Sequence, residues 1–228
     1  FRTRALGDFM ATQRDVLEGA YEITDLPTLV NFSDGAVYTA NMYSQGVDYF
    51  ELLDSPDQNA IWSEDWSNGA SSYQCAAFNV ELMRAAARGR DMTLGHFLIA
   101  YAGRKPWDIK LKAASETARG IRVWQMYSWG VPWGTHTGGP TWNNHAIYSK
   151  PEIWGDCAEV VREIGAAEDL IIDAEPLPAE VAILYSTSSD IWQLKKNHAY
   201  GFDRMHTWMA LSHAQIPADI VAERQIEK

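Results

Sequence analysis

Four short apolar runs separated by segments of helical periodicity set the strongest constraint on this fold. PTLVNF (27–32), AIWSEDW (60–66), MTLGHFLIAY (92–101) and IRVWQMYSWG (121–130) read as strands. Residues 8–22, with Phe9, Val16, Leu17 and Tyr21, read as a helix ahead of the first run. Between the runs, 38–53 places Tyr43, Val47 and Phe50 at the i, i+4, i+7 spacing of one helical face. Residues 73–88 carry Phe78 and Leu82 and stop at Gly89, and 108–119 stops at Gly120. These connections are too long for hairpins, so the strands pair in parallel through crossover helices and the sheet is covered by helices. A closed eight-stranded barrel and an open doubly wound sheet both satisfy that pattern.

The positions of the distinctive residues favour the barrel. Asn31, Glu64 with Asp65, Tyr101, and Tyr127 with Trp129 fall near the C-terminal ends of successive runs, which in a barrel converge on one mouth. No GxGxxG or P-loop opens a helix, which weakens a nucleotide-binding alternative, and no cofactor is expected. A complete barrel needs eight strands and about 250 residues, whereas four strands precede residue 131. The expected fold is therefore α/β, the C-terminal half of a TIM (β/α)8 barrel over residues 1–174. The amphipathic segment 157–171, with Val160, Val161, Ile164, Ala167 and Ile171, supplies its closing helix. AEPLPAE (174–180) reads as a linker. EVAILYSTSSD as a strand with a Ser/Thr turn, a helix over 201–214 and the strand PADIVAE then read as the opening βαβ of a second domain, 175–228, cut off at Lys228.

Charge and hydropathy narrow the partners. With 19 basic and 30 acidic side chains the formal charge is −11, which would repel a phosphate backbone, so no nucleic-acid partner is expected. No stretch approaches the roughly 18 apolar residues of a membrane span, and FRTRALGDFM lacks the apolar core of a signal peptide. No membrane partner is expected, and the compartment stays open. Cys75 and Cys157 lie in separate helical patterns and read as free thiols. Ten tryptophans stand out, four of them (Trp124, Trp129, Trp133, Trp142) within nineteen residues that also carry GTHTGGP and TWNNH. Core packing is one reading. Aromatic rings on a Gly/Thr/Asn-rich loop also suit stacking on flat sugar faces, since loops carry binding groups.

Several phrases in order resemble the second half of a glycoside hydrolase of family 42, the β-galactosidase type. LPTLVNF resembles that family's fifth barrel strand, AIWSEDW its sixth, GIRVWQMYSWG its eighth, and GTHTGG the turn whose histidine touches the sugar. VAILYSTSSDIW with the later IPADIV resembles the start of the flavodoxin-like trimerisation domain that follows the barrel. The resemblance implies a carbohydrate substrate and a homotrimer. The family's acid/base glutamate belongs to the fourth strand, upstream of Phe1. Its nucleophilic glutamate ends the seventh strand, where HFLIAYAG has Ala100 or Tyr101. Tyr127 replaces an arginine of the eighth strand, and Trp133 replaces a glutamate three residues before the sugar-binding His136.

The carboxylates carry the remaining chemistry. Retaining glycosidases hold two about 5–5.5 Å apart and inverting ones about 6.5–9.5 Å. Adjacent strand residues point to opposite faces, so Glu64 and Asp65 do not both face a pocket. Glu64 matches the family's acidic position and is expected there as nucleophile or base, with Tyr101 the alternative nucleophile. Asn31, Trp62, Asp65, Trp66, Tyr127, Trp129, Trp133 and His136 are the candidate substrate-binding residues. Blander roles stand beside these: a turn-satisfying Asn31, a surface His136, core or rim aromatics. His136 and His145 lack a Cys or carboxylate at ligand spacing, so no metal is expected. His96, mid-strand, reads as a satisfied buried histidine. Trp192, Tyr200 and Trp208 read as core or subunit-contact residues. A carbohydrate-binding protein without the nucleophile is the alternative to a hydrolase, and an assembly fragment is a third possibility.

Overall fold

A computed structural model of the chain describes residues 2–29, 31–33, 48–54, 58–64, 73–99, 105–127, 151–192 and 199–226. Strands β1 (Asn31–Ser33), β2 (Ala60–Glu64), β3 (Thr93–Ile99) and β4 (Val123–Tyr127) form one parallel sheet in sequence order. Helices α1 (Arg2–Tyr21), α2 (Tyr49–Leu52), α3 (Tyr73–Ala87), α4 (Pro106–Thr117), α5 (Pro151–Ala166) and α6 (Glu168–Ile171) accompany it. Parallel crossovers are right-handed as a rule, which for strands in sequence order puts the connecting helices on one face.

Side-chain alternation agrees. Phe32 meets Tyr49 of α2 with ring centroids 5.6 Å apart. Ile61 and Leu94 join Phe78, Leu82 and Met83 of α3 in the larger core cluster. Leu98 packs with Ile109 and Ala113 of α4 and with Cys157 and Val160 of α5, with Trp124 and Met126 against them. The parallel α/β expectation is thus met at the level of the sheet and its helical layer. Gly89 (φ +73°) and Gly120 (φ +103°) occupy the left-handed region just beyond α3 and α4, where the sequence placed the stops.

Four local expectations change. The first helix begins at Arg2, and its buried stripe is Thr3, Gly7 and Met10 with partly buried Leu6, whereas Phe9, Val16, Leu17 and Tyr21 are exposed. Two apolar sets share this helix, and the one with Leu6 and Met10 joins the larger core cluster beside α2. A helix running unbroken through 38–53 does not occur: Asp48 is extended (φ −122°, ψ 104°) and caps α2, its carboxylate accepting from the amides of Phe50 and Glu51. Of the three residues used to argue that helix, Phe50 is buried, while Tyr43 and Val47 lie outside the described residues. The closing helix starts at Pro151 and breaks at Ala167, with Val161 of its apolar set exposed. Finally, the Ser/Thr turn after the fifth strand is the helix α7 (Thr187–Trp192).

Strands β5 (Val181–Tyr185) and β6 (Ala218–Ala222) form a separate parallel pair, with α7 and α8 (Ala199–His213) between them and α9 (Glu223–Ile226) after. This part shares a core with the first. Ile183, Tyr185, Met205, Trp208 and Ile220 belong to the cluster that holds Phe78 and Met83, and Phe78 and Trp208 lie 5.7 Å apart between ring centroids. Thr187 Oγ1 donates to Asp48 Oδ2 at 2.7 Å, joining α7 to the α2 cap. Trp208 is core, as expected, whereas Trp192 is 86% exposed and Tyr200 half-exposed. Cys75 and Cys157 are free thiols. No helix of the described residues is long and apolar enough to cross a membrane.

Candidate functional site

The orientation of Glu64 is set by its neighbour. Ser63 is fully buried against the helices: Asn79 Nδ2 of α3 donates to its Oγ at 2.7 Å, and the hydroxyl donates to the Phe32 carbonyl. Tyr49 Oη donates to Asn79 Oδ1 at 3.2 Å, completing a buried polar set. Buried polar groups need such partners, so Ser63 is held to the helical side and the pleat turns Glu64 to the other face. That face also carries Trp62 on β2, Gly95, Phe97 and Ile99 on β3, and Val123 and Gln125 on β4 by the same alternation.

The register arranges these residues in rows. Asn31, Trp62, Gly95 and Val123 are successive partners, and the next row runs Ser33, Glu64, Phe97, Gln125. Tyr127 pairs with Ile99, one row further toward the C-terminal ends, or about 6.6 Å beyond Glu64 along the strands. The structure therefore brings Asn31, Trp62 and Glu64 onto one patch and puts the Tyr127 backbone one step above it. Asn31 is the first residue of its strand rather than near its last, and its side chain is exposed.

Trp62 is the densest feature. Its indole is 6% exposed, crosses directly over Gly95 and meets Phe97 edge-on, with centroids 5.9 Å apart and planes at 70°. The indole N–H has no acceptor among the described residues. Glu64 is 8% exposed, and no hydrogen bond or ion pair to it occurs among the described residues. A buried carboxylate and a buried, unmatched N–H donor on adjacent rows form a small polar element in a floor built around the Trp62 and Phe97 rings. Such a floor stacks on apolar ring faces while its polar groups take hydroxyls. Among its described residues the face holds Glu64 as its one carboxylate.

Tyr101, Asp65, Trp66, Trp129, Trp133 and His136, along with Ala100 and His145, lie outside the described residues. His96 is fully buried on the helical side, its Nδ1 3.0 Å from Glu116 Oε1. No hydrogen bond forms there, and neither ring nitrogen of His96 has a hydrogen-bond partner among the described residues. Glu116 Oε2 accepts from Trp124 Nε1 at 3.1 Å. The pair is remote from the Glu64 face: His96 is buried away from the site as expected, but its ring nitrogens lack, among the described residues, the hydrogen-bond partners expected of it. Sequence reasoning passed over Phe97 and Gln125. Period-two alternation from Glu64 across the parallel register would have found them, because a glutamine in mid-strand is a polar residue in an apolar run. It also passed over Asn79, a lone amide in the apolar face of α3.

A mainly apolar cavity of about 200 Å³ lies elsewhere, among Leu98, Ile121, Met126, Val160 and Ile164 on the helical side of β4. Its charged lining residues are Arg122 and Glu168, and it lies on the opposite side of the sheet from Glu64. No family model matches the chain, and no curated protein matches it.

Proposed function

We propose that the chain is the C-terminal half of a (β/α)8 barrel from a glycoside hydrolase acting on an oligo- or polysaccharide, with Glu64 its catalytic carboxylate. One observation carries the reading: Glu64 ends a parallel strand on the face turned away from the helices, beside the buried Trp62 ring and its unmatched N–H. Strand order supports the barrel. Sequential parallel strands with helices on one side follow the winding of a barrel, whereas a doubly wound sheet covers both faces. In this reading Trp62 and Phe97 form the sugar platform, Asn31 and Gln125 bind hydroxyls, and Glu64 acts as nucleophile or general base. The part from residue 175 begins a flavodoxin-like domain that assembles the protein as a trimer.

A second reading, carbohydrate binding without hydrolysis, has its own support. Both glycosidase geometries require two carboxyl groups, and the described part of this face offers Glu64 alone. A screen of chromogenic glycosides with Glu64→Gln and Asp65→Asn separates the two. Hydrolysis that falls by about 10²-fold or more in Glu64→Gln and far less in Asp65→Asn supports the enzyme. Sugar binding without turnover in the parent chain establishes the binder. Absence of both turnover and sugar binding rejects both readings.

A further inference from the structure

In a chain of net charge −11, three arginines converge on one cavity. Arg88 and Arg90 flank Gly89 in the turn that ends α3, and Arg224 comes from α9. With Asp54, Phe50, Ala86 and Gln225 they line a cavity of about 290 Å³. Asp54 follows α2 ahead of β2, and Arg90 precedes β3, so the cavity lies at the opposite end of the strands from Glu64. It is independent of the glycosidase reading.

Asp54 is the only carboxylate among the lining residues, and it is divided. Its Oδ1 accepts from Arg90 Nη2 at 3.1 Å, and its Oδ2 lies 3.0 Å from Arg224 Nη2. Arg88 turns to Asp219, which Arg84 also approaches at 3.9 Å. The lining holds one carboxylate and three guanidiniums, with the Arg88 charge met by Asp219 just outside it. A network that merely ties α3 to the C-terminal part accounts for Asp54 with its two arginines. Helix-end attraction accounts for some of the charge on the turn after α3. Arg224 Nη1 is closed to solvent without an acceptor among the described residues, so an anion in the cavity would meet the other donors of the two guanidiniums, whose side chains are 32% and 35% exposed. A guanidinium presents five donors in a fixed fork suited to tetrahedral and planar oxyanions.

We propose that this cavity binds a phosphate or sulfate group, held by Arg90 and Arg224 with Arg88 contributing charge. Asp54 keeps the two guanidiniums together and competes with the anion for their donors.

Calorimetric titration of the full chain with inorganic phosphate, at constant ionic strength with chloride as the control, tests the site. Saturable one-to-one binding is expected. Arg90→Gln and Arg224→Gln should each weaken it by about tenfold or more, the effect of a lost charge-assisted hydrogen bond. Asp54→Asn should tighten it, because the competing charge is gone. A purely structural network predicts no phosphate affinity in any variant. Should the glutamine variants unfold, Arg224→Lys keeps the charge and the partner but loses the fork, and should still weaken binding. Sulfate and a hexose phosphate distinguish the source: tighter binding of the ester identifies a phosphorylated ligand, and equal or weaker binding identifies the free anion. No saturable heat up to about 10 mM phosphate, equal affinity in all variants, or weaker binding by Asp54→Asn would overturn the proposal.

Discussion

The indole of Trp62 lies so close over Gly95 that a Cβ at residue 95 would overlap its Cε3 and Cζ3 atoms. Glycine is required at this position by the neighbouring ring. In Gly95→Ala the indole must leave its seat against Phe97, or the strands must part. We expect a loss of about 1–3 kcal/mol, the usual range for overpacking, with weakened sugar binding if Trp62 is the platform. Denaturant unfolding measures the first effect. An unchanged midpoint would mean that the ring does not occupy this place.

Arg204 and Asp190 form a buried bidentate pair, Nη1 to Oδ1 at 2.9 Å and Nη2 to Oδ2 at 2.8 Å, with the guanidinium 4.6 Å from the Tyr185 ring centroid. Breaking such a pair on one side leaves an uncompensated buried charge. Arg204→Met should cost about 3–5 kcal/mol, and the double change Arg204→Met with Asp190→Leu should recover much of it. Urea melts of the single and double variants give the comparison. A double variant no more stable than the single one counts against the pair as described.

Burial pushes the Asp48 carboxyl above its ordinary value of 3.8, against the hydrogen bond from Thr187 that lowers it. Between 3.8 and the raised value the folded chain keeps a proton that the unfolded chain has released. Stability from this group is therefore greatest at low pH and falls as pH rises through that window. Asp48→Asn keeps an acceptor for the α2 cap and removes the titration. Its unfolding free energy, followed from about pH 3.5 to about pH 7, should decline less with pH than that of the parent. An equal or steeper decline would refute this assignment.

Burial, with the charge of Asp156, raises the Cys157 thiol to about 11, and the side chain packs among Leu98, Ile109 and Val160. Thiolate is the reactive form, so in the folded chain a thiol reagent at about pH 8 should label the half-buried Cys75 well before Cys157. Mass spectrometry of the labelled peptides reads the order. Labelling of both at one rate would show that α5 does not stay docked.

Much of the architecture was legible because it is written in local periodicity. The apolar runs of β2, β3 and β4, the helices α3 and α4 and the left-handed stops at Gly89 and Gly120 follow from patterns spanning a few residues. The pleat alone required Glu64 and Asp65 to diverge. Which of the two faces away from the helices depended on Ser63 meeting Asn79 and Tyr49, sixteen and fourteen residues distant in the chain. The parallel register did the rest: it set Trp62 over Gly95 and Glu64 beside Phe97, contacts that no spacing in one strand encodes. The buried stripe of α1 and the shared core around Trp208 were decided the same way. Periodicity offers a helix or strand a face, but what that face meets, and so whether a side chain is buried, exposed or paired, depends on segments brought together only by folding.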